Sequence, residues 1–133
     1  MNEDIIAAVA TSRLEAAISI IRLSGPNVIE FVQSFFTGKI INKRTQTISY
    51  GYIVDGEEKI DEVLVSIYRG KHTFTGEEMA EINCHGGIFI TNRVLQLCLH
   101  KGARMAERGE FSKRAFLNGR IDLSQAEAIS YQI

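Results

Sequence analysis

Two runs of strict alternation meet at a tight turn, and they constrain the fold more than any other part of the sequence. Between Thr47 and Val54, the side chains of Ile48, Tyr50, Tyr52 and Val54 fall on one side and Ser49 and Gly51 on the other. Asp55-Gly56 is a strong turn signal. Val63, Val65 and Ile67 then resume the alternation. A period of two belongs to a strand and excludes a helix over the same residues. The spacing therefore predicts a β-hairpin with a loop of a few residues.

The rest of the chain places further elements around that hairpin. Ile5 to Ala10 and Ala16 to Leu23 are short apolar runs close together, as in two strands joined by a tight connection. Arg22 lies near the end of the second run, where a charged side chain can face out between buried neighbours. Ser24-Gly25-Pro26 reads as a helix start with a capping side chain. Val28, Phe31, Val32, Phe35 and Phe36 follow at helical spacing up to Thr37-Gly38. Lys71 to Glu78 breaks the pattern and reads as a loop, and Met79 to Cys84 as a short strand. Ile90, Val94, Leu97 and Cys98 share one face of a helix from Ile88 to Lys101, which Gly102 stops. Ala103 to Ala106 is a last strand candidate. The order is that of an α+β fold, a mixed β-sheet with helices packed on it, and not a regular βαβ alternation.

Composition narrows the class. The chain has 133 residues, of which 45% are hydrophobic and 23% charged, so one domain with a substantial core is expected. The net charge of −1 argues against a domain whose main task is to coat a phosphate backbone. Two cysteines without a secretory signal pattern point to a reducing compartment. No apolar run approaches the ~18 residues of a membrane span, and a cytoplasmic protein is expected.

Three constellations carry possible chemistry. Glu77, Glu78 and Glu81 lie close together. Position alone reads Glu77 and Glu78 as solvated. Glu81 sits inside an otherwise apolar strand, facing the same side as Met79 and Asn83. A carboxylate there can accept two parallel hydrogen bonds from an amidine-like edge, such as that of a pterin; a solvated glutamate is equally compatible. Asn83-Cys84-His85-Gly86-Gly87 places backbone N–H groups at a helix start, where an anion or an electron-rich ligand edge is favoured. It lacks the lysine of a phosphate loop. Cys84 reads as a small buried residue, and His85 as either structural or an acid–base group. Arg22 and Arg120 can grip carboxylates by fork-like hydrogen bonds, although spacing alone fits two surface arginines as well. His72, His85, His100 and the cysteines lack metal-ligand spacing, so no metal site is expected, and no catalytic nucleophile can be assigned.

The run GEFSKRAFLNGRIDLSQAE, Gly109 to Glu127, is dense in helix punctuation. It reads as a short helix, a stop at Asn118-Gly119, the basic Arg120, and a second helix start at Asp122. Ser124 with Glu127 and Asp122 with Gln125 offer capping-box pairs. A capped helix with so little after it is expected of a domain cut from a longer protein.

Together, IIRLSGP, FTGEEMAEINCHGG and GEFSKRAFLNGRIDLSQAEAI resemble the N-terminal domain of the MnmE (TrmE) family of tRNA-modification GTPases. The resemblance covers nearly the whole chain and implies a fold like the folate-binding domain of aminomethyltransferases. Residues 1–119 would form the folate-binding and dimerisation domain, and 120–133 the start of a truncated helical domain. The implied ligand is a tetrahydrofolate derivative, 5-formyl or 5,10-methylene, contacted by Arg22, Glu81 and Arg120. It supplies the one-carbon unit added at the five-position of the tRNA wobble uridine. The implied partners are a second copy of the chain, the flavin-dependent MnmG (GidA) and tRNA. GTP, magnesium and potassium would serve a GTPase domain outside these residues.

One departure stands out. The family's TPxGxGG-type turn is replaced by Thr11 to Ala17, without proline or glycine. A dimerisation module with a decayed folate site is therefore the rival expectation, and a free-standing folate-dependent aminomethyltransferase a third.

Overall fold

A computed structural model describes residues 4–10 and 18–122. Its centre is a six-stranded mixed sheet in the order β3-β4-β5-β2-β1-β6. The strands are β1 (Ile6–Val9), β2 (Ser19–Ser24), β3 (Thr47–Asp55), β4 (Glu58–Tyr68), β5 (Met79–Cys84) and β6 (Arg104–Met105). Every pairing is antiparallel except that of β1 with β6. Three helices complete the chain: α1 (Val28–Gln33), α2 (Gly87–Lys101) and α3 (Glu110–Leu117). The α+β class and the hairpin at Asp55-Gly56 are as the sequence predicts.

The two faces of the sheet have different cover. On one, Ala7, Ile21, Leu23, Val65, Ile67, Ala80 and Ile82 are buried against Val28, Ile29 and Val32 of α1 and Val94, Leu97 and Cys98 of α2. This is the main core. On the other, Phe111 of α3 packs with Ile6, Met79 and Tyr68. Register aligns Ile6, Ser24, Met79 and Tyr68 in one row across four strands. The next row, Ala8, Arg22, Glu81, Ser66 and Ile48, is half-buried or exposed at Arg22, Glu81 and Ile48. Beyond it lie Ile20, Asn83, Leu64 and Tyr50.

One local expectation is corrected, and the covered side of β3, which alternation leaves open, is settled. Ser24 ends β2 and caps no helix: α1 starts after Asn27, at φ 61°, with no side-chain capping bond. The Ser24 hydroxyl is engaged across the fold instead, with Thr75 and Glu77. Ile48 and Tyr50 face outwards, 65% and 57% exposed, while Gly51 and Ile53 turn inwards. The reason is the segment after α1. Phe36 bridges to Ile53, Thr37 N–H donates to the Tyr52 carbonyl, and Val54 N–H donates to the Phe35 carbonyl. Only a glycine at position 51 lets this segment approach, because a Cβ there would lie 2.6 Å from Gly38 N and 2.7 Å from the Phe36 ring.

Candidate functional site

Arg22 and Glu81 are directly opposite one another on β2 and β5. Cross-strand partners on one face are close enough for opposite charges to meet, and Arg22 Nε donates to Glu81 Oε2 at 2.8 Å. Arg22 does stand between fully buried neighbours, Ile21 and Leu23, with its own side chain turned to the other face. Glu81 shares that face with Met79 and Asn83, as alternation requires. Tyr68 borders the pair: burial first, and then the charge of Glu81, raise the pKa of its phenol. A carboxylate, a guanidinium and a phenol thus converge on the less covered face of the sheet.

Arg120 has other partners. Gly119, at φ 74°, turns the chain after α3. Arg120 N–H then donates to the Ala115 carbonyl, and its side chain lies on the loop before β5. There Nε donates to the Thr73 carbonyl at 2.9 Å and Nη2 to the His72 carbonyl at 3.2 Å. Asn118 Nδ2 donates to the Thr75 carbonyl beside it. Gly76, at φ 83°, makes room: a Cβ would lie 2.6 Å from Asn118 Cβ and 3.3 Å from Arg120 Cγ. Arg22 and Glu81 are therefore brought together in one ion pair. Arg120 is held on the loop that leads into the strand carrying Glu81, bonded to neither.

Glu77 and Glu78 are not the solvated pair expected from position. Glu77 accepts from Ser24 Oγ at 2.8 Å and from Arg114 Nη1 at 2.7 Å. Glu78 Oε2 lies 3.8 Å from Arg69. Sequence reading missed Arg114 entirely, because it looked like one more charged residue of a short helix. It is 2% exposed. Its Nη1 also donates to the Asp4 carbonyl at 2.9 Å, and its Nη2 to Asp4 Oδ1 at 2.5 Å. The one available signal was Glu110 four residues earlier, on the same helix face; its Oε2 is 3.7 Å from Arg114 Nη2. Arg104 completes the network with a bidentate pair to Glu110. This network ties α3 and Asp4 to the loop on which Arg120 rests.

The hydrogen bonds from Arg104 hold the Glu110 carboxyl below the usual carboxylate range, against the opposing effect of burial. Asp4 is lowered too, with Arg104 again the first cause. A carboxylate depressed in the folded state contributes stability that is complete above its unfolded pKa and is lost as pH falls through the folded value. Urea midpoints measured from pH 7 down to pH 3 should therefore hold until the ordinary carboxylate range and fall below it. Glu110→Gln should be less stable at pH 7 and show a shallower acid loss. An unchanged acid limb in that variant would remove Glu110 from the account.

Cys84 is fully buried, as expected, and burial pushes its thiol up to about 12, with Asp61 adding to the shift. His85 is tied to the hairpin: its N–H donates to Asp61 Oδ2, and its Nδ1 lies 3.1 Å from the Glu62 carbonyl. A carbonyl only accepts, so Nδ1 carries the proton. His85 also lines, with Tyr50, Glu62, Val63 and Leu64, a cleft of about 240 Å³. Among the described residues no His, Cys, Asp and Glu side chains are grouped as a metal cage, and no helix is long and apolar enough to cross a membrane. The turn at Thr11 to Ala17 and the capping pairs at Ser124, Gln125 and Glu127 lie outside the described residues.

The family described as "GTP-binding protein TrmE N-terminus" matches this chain over residues 5–120. The chain belongs to this family. Among curated proteins it is 54% identical over 132 residues to the tRNA modification GTPase MnmE of Bacillus pumilus (strain SAFR-032), covering 95% of the chain. It is 55% identical over 133 residues to the protein of that name from Staphylococcus aureus (strain Newman), covering 97% of the chain. In both cases it spans 29% of the relative's length. As a TrmE N-terminal region, it places its Arg22–Glu81 pair in IIRLSGP and AEINC, and its buried Arg114 in GEFSKRAFLNGR.

Proposed function

We propose that this chain is the folate-binding and dimerising part of a tRNA-modifying GTPase. It binds a tetrahydrofolate carrying a one-carbon unit, 5-formyl or 5,10-methylene, for transfer to the five-position of the wobble uridine. The observation that carries the reading is the Arg22–Glu81 ion pair on the less covered sheet face. Glu81 engages Arg22 with one oxygen, and its other oxygen suits the donor edge of a pterin. Arg22 uses only Nε in the pair, so its outer guanidinium edge suits a carboxylate, as does Arg120, whose charge meets only backbone carbonyls among the described residues. These residues fit a ligand with an amidine-like edge at one end and carboxylates at the other.

A second copy of the chain is the natural cover for the exposed Ile48 and Tyr50 on the same face. MnmG and tRNA are the further partners of the whole protein. Its GTP, magnesium and potassium act in parts outside this chain, and the cytoplasm is its compartment.

Calorimetric titration with 5-formyltetrahydrofolate tests the reading. Arg22→Ala, Glu81→Ala and Arg120→Ala should each weaken binding by about 1.5–3 kcal/mol, roughly ten- to a hundredfold. If all three bind as the parent does, the site is elsewhere. A dimer that ignores the folate altogether supports the rival, a dimerisation module whose ligand site has decayed.

A further inference from the structure

The net charge of −1 conceals a strong segregation of charge. Between Glu30 and Asp55 there is no acidic residue, yet Lys39, Lys43 and Arg44 lie there. The hairpin divides accordingly. Asp55, Glu57, Glu58, Asp61 and Glu62 gather at its turn around a single cation of that run, Lys59. The open end, where Thr47 pairs with Ile67, carries Arg44 before β3 and Arg69 and Lys71 after β4, with Glu78 beside Arg69.

The basic end is also rigid. Arg69 is a clamp: its Nε donates to the Lys43 carbonyl at 2.8 Å, and its Nη2 to the Ile40 and Ile41 carbonyls. Gln33 holds the same loop from the other side, donating to the Phe36 and Gly38 carbonyls and accepting from Ile40 N–H at 2.7 Å. Beside Gln33 opens a cleft of about 490 Å³ lined by Gln33, Lys39, Ile41, Asn42 and Lys43. Lys39, Lys43, Arg44 and Lys71 are exposed, and none has an ion pair among the described residues. Unpaired cations on a fixed loop repel one another without a counter-charge, and a row of phosphates supplies one.

We infer that this end of the domain, Lys39, Lys43 and Arg44 on and beside the Arg69-clamped loop with Lys71 after β4, docks the phosphate backbone of the RNA substrate. The inference rests on the tRNA-modifying role proposed above. Its position suits that role: Lys71 adjoins His72, whose carbonyl holds Arg120. The strand that leads into Lys71 also carries Ser66 and Tyr68, beside Glu81. Contacts of this kind position an RNA without reading its sequence, so they would set the approach to the folate site rather than choose the base.

Fluorescence anisotropy with an unmodified tRNA transcript tests the proposal over a salt series. The parent chain should bind with an affinity that falls steeply with salt. Lys39→Glu/Lys43→Glu/Arg44→Glu should bind at least about tenfold more weakly. Its log–log salt slope should be shallower by about 2, at roughly 0.7–0.9 for each phosphate no longer neutralised. The control, Lys101→Glu/Arg108→Glu/Lys113→Glu, changes net charge equally at other places and should bind within about threefold of the parent. The proposal is overturned if the parent shows no salt-dependent binding, or if both triple variants lose equally or neither does. It is also overturned if the first variant loses folate affinity instead of RNA affinity, since the patch would then serve the ligand's carboxylates. Folate titration of the parent tests the function proposed above separately: a parent that binds folate while RNA binding ignores the patch sinks only the docking surface.

Discussion

Arg114→Met should lower the unfolding free energy by about 3–5 kcal/mol, the usual cost of removing one partner from a buried ion pair. Methionine replaces the aliphatic stem, so little of the loss comes from a cavity. The loss comes from what remains. Glu77 and Glu110, both mostly buried, would keep their carboxylates with fewer cationic partners, and the Asp4 carbonyl would lose a donor. Urea unfolding at pH 7 reads the effect directly. Adding Glu77→Gln to Arg114→Met should recover part of it, because one orphaned charge is then removed. A single-variant loss below about 1 kcal/mol would show that the network is not held by this guanidinium. The variant should also weaken folate binding beyond its effect on folding. Arg114 touches Glu77, and the loop from Thr73 to Glu77 fixes the place of Arg120.

Gly25→Ala should cost about 2–6 kcal/mol, for two separate reasons. Gly25 has φ +154°, a conformation that side chains avoid, with a penalty of about 1–3 kcal/mol. A Cβ there would also lie 2.7 Å from the Asp4 carbonyl oxygen and 2.8 Å from Ile5 Cα. Those are backbone atoms, so relief requires moving a chain segment, and overpacking of this kind costs about 1–3 kcal/mol. Gly56→Ala is the internal comparison. Its φ is +62°, but nothing lies within 4 Å of the added carbon, so only the conformational penalty of about 1 kcal/mol should appear. Urea midpoints of the two variants side by side decide the matter: equal losses would mean that crowding against Asp4 and Ile5 contributes nothing.

The same pair of glycines shows what the sequence could disclose. Asp55-Gly56 announced a turn because the cause is local, a positive φ between two alternating runs. Gly25 was read with its neighbours as a helix start. The competing claim on Ser24 comes from Thr75 and Glu77, about fifty residues away in sequence, and local chemistry cannot reveal it. Alternation likewise found the strand from Thr47 but could not say which side is covered. Gly51 turned out to be the buried side because Phe36 and Gly38 press against it. The site divides in the same way. The opposition of Arg22 and Glu81 follows from strand register, and each residue alone was ambiguous. Arg114 was invisible, since a charged residue in the last turn of a short helix normally faces water, and only the fold shows it 2% exposed.

The segment Phe35 to Thr37 has a wider consequence. β3 is the outermost strand of the sheet, and a long outermost strand normally offers a ladder of unsatisfied amides to any other extended chain. Here the Tyr52 carbonyl and the Tyr52 and Val54 amides are already engaged by Phe35 and Thr37. Strand addition along that half of β3 is blocked by the chain's own Phe35–Thr37 segment, through backbone and the Thr37 hydroxyl. That half of the edge is thereby protected against edge-to-edge pairing with another extended chain.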